Sequence, residues 1–152
     1  MIDSVSSADI ANAERFERLG IAADAETASR TREEFAKWLE DHFDLDPIRS
    51  SDLILATNEA LANAAEFAYV NSDQPGTMDV QAVHDATSAK LTVTIADHGV
   101  WRQSDPKPAN RSRGRGIPLM EALTDFTSIE SSAAGTRVLM EWAAVARRNC
   151  TA

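Results

Sequence analysis

Three stretches of this chain alternate apolar and polar side chains with a period of two. Met78, Val80 and Ala82 enclose Asp79 and Gln81; Leu91, Val93 and Ile95 enclose Thr92 and Thr94; Val138, Met140 and Trp142 alternate with Arg137 and Glu141. Successive strand residues point to opposite faces, so each stretch is a strand with one apolar face that must be covered. Helical segments can supply the cover. Asp24 and Thr27 offer N-cap oxygens ahead of Ala28, Phe35, Trp38, Leu39 and His42, whose spacing predicts an amphipathic helix to about Phe43, with Pro47 ending the connection. A second helix is predicted from Ser50 or Ser51 to about Tyr69, placing Leu53, Thr57, Ala60, Leu61, Ala64, Phe67 and Ala68 on one arc. Residues 15–21 read as an edge strand with poor alternation, 85–89 as a hairpin connection, 117–123 as a short helix and 126–130 as a further strand. Trp38 and Trp142 belong to the core on this reading. The sum is an α+β fold: a two-layer sandwich of a mixed, mostly antiparallel sheet with helices on one face.

Length and charge narrow the function. A chain of 152 residues suits one domain with a sizeable core. Its expected extent is residues 14–143, with tails at 1–13 and 144–152. No run approaches the roughly 18 apolar residues that span a bilayer, and the opening Met1-Ile2-Asp3-Ser4-Val5 resembles no signal segment, so a cytoplasmic location away from membrane is expected. Cys150 is the only cysteine, which excludes an internal disulfide and a cysteine metal site. A formal charge of -9 argues against direct nucleic-acid binding, which draws on lysine and arginine to neutralise phosphates. The charge is uneven, however: residues 101–116 hold Arg102, Lys107, Arg111, Arg113 and Arg115 against the single acid Asp105. A cationic loop in an acidic protein suits a small polyanion gripped at one place. No histidine pair has metal-ligand spacing; His42 and His84 read as surface or boundary residues and His98 as a turn residue.

Four short segments then stand in order: Asn58-Glu59-Ala60-Leu61-Ala62-Asn63-Ala64, Asp97-His98-Gly99, Gly114-Arg115-Gly116-Ile117-Pro118-Leu119 and Gly135-Thr136. Glu59 and Asn63 are one helical turn apart on the flank of the apolar arc, where partial shelter suits a general base and a metal-binding amide. Asp97 ends a strand, and an ionised carboxylate there can distinguish the amino group of adenine from the carbonyl of guanine. Glycines let backbone N–H groups approach phosphate oxygens, the helix after Gly116 adds the positive end of its dipole, and the arginines add charge-assisted hydrogen bonds. Magnesium takes oxygen ligands and keeps several waters, so one amide oxygen from Asn63 plus phosphates would suffice.

In order and spacing these segments resemble the boxes of the GHKL ATPase superfamily, and most of all its small serine kinases that act as anti-sigma factors in bacterial partner switching. The resemblance implies the GHKL (Bergerat) ATPase fold, ATP and Mg2+ as cofactors, Glu59 as general base and Asn63 as magnesium ligand. It implies that Asp97 accepts from the adenine amino group, that Gly99 permits close approach, and that Gly114 and Gly116 wrap the phosphates, with Arg113, Arg115 and Ile117 in the same nucleotide-contacting loop. It implies that Thr136 helps recognise adenine. The activity implied is an ATP-dependent protein serine/threonine kinase that phosphorylates an anti-sigma factor antagonist and sequesters a sigma factor. Relatives often dimerise, and apolar surface on the sheet would permit it here. Two departures stand out. Phe67 follows Glu66 where the family often has His, and Trp101 stands where many relatives have a second glycine. They favour an alternative, a catalytically silent nucleotide-binding anti-sigma or signalling adaptor. The segment from Arg102 to Arg113 is expected to change order when nucleotide arrives.

Overall fold

The computed structural model describes residues 15–67, 76–98 and 118–148. Along the chain these form β1 (Arg15–Ala22), α1 (Ala25–His42), β2 (Phe43–Asp44), α2 (Pro47–Phe67), β3 (Thr77–Asp85), β4 (Lys90–Asp97), β5 (Phe126–Ser132), β6 (Gly135–Trp142) and β7 (Ala146–Arg147). Residues 118–123 are also helical. The alternating stretches become the inner strands of a five-stranded sheet ordered β1-β3-β4-β6-β5. Its four pairings are all antiparallel, so the described sheet is more uniform than the mixed one expected. Met78, Val80, Ala82, Leu91, Val93, Ile95, Val138, Met140 and Trp142 form its buried face, and with Phe35, Leu39, Leu53, Ala60 and Leu61 from the helices they make one apolar core. The fold is the two-layer α+β sandwich that one-sided strands require.

Local chemistry fixes the ends of these elements. The Asp24 carboxylate accepts the Thr27 N–H at 2.7 Å and caps α1. Phe35 and Trp38 from this helix pack on Phe16 of β1 with ring centroids 5.7 Å apart in each case. The second helix starts earlier than periodicity suggested. Asp46 accepts the Arg49 N–H on its carboxylate at 2.7 Å and the Ser50 N–H on its carbonyl at 2.9 Å. Pro47 is therefore the first helical residue rather than the end of the connection, a position where its missing N–H costs nothing. Strand β1 alternates poorly because its register shifts between Arg18 and Ile21, with Gly20 at a φ of 66°. Residues 86–89 close the β3–β4 hairpin, and the Asp85 carboxylate accepts the Thr87 N–H at 2.9 Å.

The packed part of the molecule also extends past residue 143, where a tail was expected. Val145 is fully buried and β7 pairs with β2. His84, expected at the surface or boundary, is buried: Nε2 donates to the Val145 carbonyl at 2.7 Å and the ring packs on Phe43. Among the described residues no helix is long and apolar enough to cross a membrane.

Two carboxylates tie stability to pH. The Thr27 backbone N–H, then its hydroxyl, hold the Asp24 carboxyl below its ordinary value. The Gln81 side chain, then Arg15, do the same for Glu17. A lowered folded-state pKa gives stabilisation that is present above the unfolded value and lost as pH falls through the folded one. Thermal unfolding scans should therefore show the melting temperature falling as pH drops below about 4. Asp24→Asn keeps an acceptor for Thr27 but does not titrate, and its melting temperature should fall less over the same range. An identical pH profile for the variant would remove Asp24 from that role.

Candidate nucleotide site

The inward series on β4 is Leu91, Val93, Ile95 and then Asp97, so the last inward position of an apolar face carries a carboxylate. Asp97 is 5% exposed and pairs in register with Thr136 of β6, which is 2% exposed. Its Oδ1 accepts the Thr136 backbone N–H at 3.3 Å. Gly135 makes this close approach possible: a Cβ built there would lie 2.0 Å from the Asp97 carbonyl oxygen and 2.9 Å from the His98 Cα. The Gly-Thr pair thus has two separate duties, contact without a side chain at 135 and a hydrogen-bonded hydroxyl at 136. A depression of about 350 Å³ opens beside the pair, lined by Asp97, His98, Glu130, Gly135, Thr136 and Arg137 among others.

The expected base and amide lie on α2, which packs over β4. Thr57, Ala60, Leu61 and Ala64 are buried in the core, whereas Asn58, Ala62 and Ala65 line a groove of about 660 Å³ shared with α1. At about 100° per residue, Glu59 and Asn63 therefore share the flank turned away from α1. Asn63 is 7% exposed and Glu59 is half-buried, matching the sheltered polar edge expected for them. Their height along the sheet follows from the other end of the helix. Arg49, in the first turn of α2, donates to the Ala143 carbonyl just past β6 and to Asp125 just before β5. From Arg49 to Asn63 the helix rises about 21 Å, and from Ala143 back to Thr136 the strand spans about 23 Å. A helix laid along the strands in the direction of β4 would bring Asn63 to the height of the Asp97–Thr136 pair.

Gly99, Arg113, Gly114, Arg115, Gly116 and Ile117 lie outside the described residues, as do Trp101 and the segment expected to change order. The helical segment 118–123 that follows them is held firmly. Met120 is fully buried, and the Trp142 indole N–H donates to the Leu123 carbonyl at 2.8 Å. Sequence reasoning missed Ser131, whose hydroxyl lies 3.2 Å from that of Thr136. The signal was available in the two-residue turn between β5 and β6, which pairs Ser131 with Thr136 and Ser132 with Gly135. It also treated His98 as a turn residue only, although its ring meets Asp79 of β3 at 3.0 Å. No cluster of three His, Cys, Asp or Glu side chains suited to a metal stands among the described residues.

In fold the chain is similar to the RsbU and RsbW domains of Rv1364c from Mycobacterium tuberculosis, with a TM-score of 0.65 at 19% sequence identity over 89% of this chain. It spans only 33% of that longer chain. Residues 21–142 match the histidine kinase-like ATPase domain, a stretch that runs from the end of β1 to the last residue of β6 and takes in the carboxylate, the amide and the Gly-Thr turn. By that match over most of its length, the chain belongs to the family of histidine kinase-like ATPase domains.

Proposed function

We propose that this chain is an ATP-dependent protein serine/threonine kinase that acts as an anti-sigma factor in the cytoplasm, phosphorylating an anti-sigma factor antagonist and sequestering a sigma factor. The observation that carries the reading is the buried, hydrogen-bonded Asp97–Thr136 pair, with Asn63 sheltered on the helix that packs over β4, within a matched ATPase domain. The RsbW domain in the similar structure supports the same reading. Asp97 accepts the adenine amino group, and Thr136 contacts the base through its hydroxyl or a water. Asn63 offers one amide oxygen in a sheltered position, which fits Mg2+, an ion that draws its other ligands from phosphates and waters. When bound, that ion neutralises charge on the phosphates. Gly99, Arg113, Gly114, Arg115, Gly116 and Ile117 are proposed to complete the nucleotide contacts.

In the transfer, the serine or threonine oxygen of the antagonist forms a bond to the γ-phosphorus while the bond to the β–γ bridging oxygen breaks and ADP leaves. Glu59 takes the hydroxyl proton, and positioning with charge stabilisation supplies the rest of the acceleration. Incubation of the purified chain with γ-labelled ATP and candidate antagonist proteins should move label to an antagonist serine or threonine. Glu59→Ala should bind ATP as the wild type does and transfer label about 100- to 10,000-fold more slowly. Equal transfer rates would remove Glu59 from its role, and nucleotide binding without transfer by the wild type to any antagonist would favour the silent adaptor.

A further inference from the structure

Beyond Asp97 and Thr136, one more carboxylate is tied to the chain that leaves Asp97. Asp79 faces outward on β3, and its two oxygens serve β1 and the residue that follows β4. Oδ1 accepts the Gly20 N–H at 2.7 Å, in the irregular part of β1 where Gly20 has a φ of 66°. Oδ2 stands 3.0 Å from His98 Nε2, and because a carboxylate offers no proton, the imidazole is the donor. The backbone of His98 is fixed from the opposite side, since Gly135 packs so closely that a Cβ there would lie 2.9 Å from the His98 Cα. The residue directly after Asp97 is thus held by its ring to β3 and by its backbone to β6. A chain of contacts runs Gly20, Asp79, His98, Asp97, Thr136 across β1, β3, β4 and β6.

We infer that Asp79, acting through His98, is a positioning residue for the base end of the nucleotide site: the pair fixes the backbone turn that leaves Asp97 and so holds its carboxylate at the angle adenine requires. The inference rests on the proposed reading of Asp97 and adds to it a specific restraint from outside the site. A strand-end carboxylate whose next residue is free can rotate with the departing chain, and loss of alignment weakens a hydrogen bond steeply. Neither side chain touches the nucleotide. Their effect reaches it only through the Asp97–His98 backbone, so cutting the link at either end has the same consequence.

The test is a double-mutant cycle read in nucleotide affinity. His98→Ala removes the tether at an exposed position, and Asp79→Ala removes it from the other side together with the Gly20 contact. Each single variant should weaken ADP and adenosine by about the same factor, about 3- to 10-fold, because the restraint acts on the base and not on the phosphates. The double variant should bind no worse than Asp79→Ala, and His98→Ala should keep the wild-type melting temperature. A purely structural contact would instead lower the melting temperature and leave the ratio of ADP to adenosine affinity and the additivity unconstrained. His98→Ala binding ADP as tightly as the wild type, or independent losses that multiply in the double variant, overturns the inference. A wild-type chain that binds neither ADP nor adenosine overturns the nucleotide reading itself, and this inference with it.

Discussion

Gly135→Ala will unfold or severely destabilise the β4–β6 pairing, with an expected loss of about 3 to 5 kcal/mol and a melting temperature lower by about 10 to 20 °C. Two penalties combine at this position. The backbone φ of 138° is one that side-chain-bearing residues rarely adopt, and the new Cβ would lie 2.0 Å from the Asp97 carbonyl oxygen and 2.9 Å from the Asp97 carbonyl carbon. All the colliding atoms are backbone, so no rotamer change relieves them, and the strands must separate. Gly20→Ala serves as the comparison. Gly20 also has a positive φ, 66°, but nothing lies within 4 Å of a Cβ built there. Its loss should be confined to the left-handed backbone penalty, about 1 to 2 kcal/mol. The difference between the two variants isolates the collision. Gly135→Ala melting within a few degrees of Gly20→Ala would show that the sheet yields at low cost.

Where the sequence was legible, the reason is periodicity. Three strands with an apolar residue at every second position allowed one sheet face to be assigned, and the inward series on β4 ended at Asp97, as the motif order also indicated. The same logic was not carried to His84, which was read as a surface or boundary residue although it continues the inward series Met78, Val80 and Ala82 on β3 and is buried, because register decides burial. The boundaries failed where one residue has two uses. Pro47 can terminate a connection or begin a helix, and the choice falls to Asp46, whose carbonyl and carboxylate cap α2. The β2–β7 pairing involves two residues on each side, too few to show a period. At the candidate site, the sheltered positions of Asn63, Asp97 and Thr136 were legible from helical and strand periodicity. Ser131, and Asp79 with His98, were not, because they matter only through cross-strand neighbours that register brings together.

Asp97→Asn should abolish tight ATP binding while leaving the fold intact, with a loss of about 100-fold in affinity. The substitution preserves volume at a position only 5% exposed, and the amide oxygen can still accept the Thr136 N–H. Unfolding should therefore change little, which separates this variant from Gly135→Ala. What changes is the group presented to the base. On the proposed reading the carboxylate accepts a hydrogen bond from the adenine amino group, whereas the amide nitrogen of Asn is a donor and would meet that amino group as a second donor. A buried donor left unpaired costs the desolvation of both groups, which is why the effect exceeds that of losing one ordinary hydrogen bond. Guanine carries a carbonyl at the same place, so an amide that repels adenine can donate to guanine. The ratio of ATP to GTP affinity should collapse by more than the ATP affinity alone falls. Titration of both nucleotides into the wild type and the variant measures this directly. Retention of ATP affinity within about 3-fold, a difference smaller than one net hydrogen bond, would mean that Asp97 does not read the base.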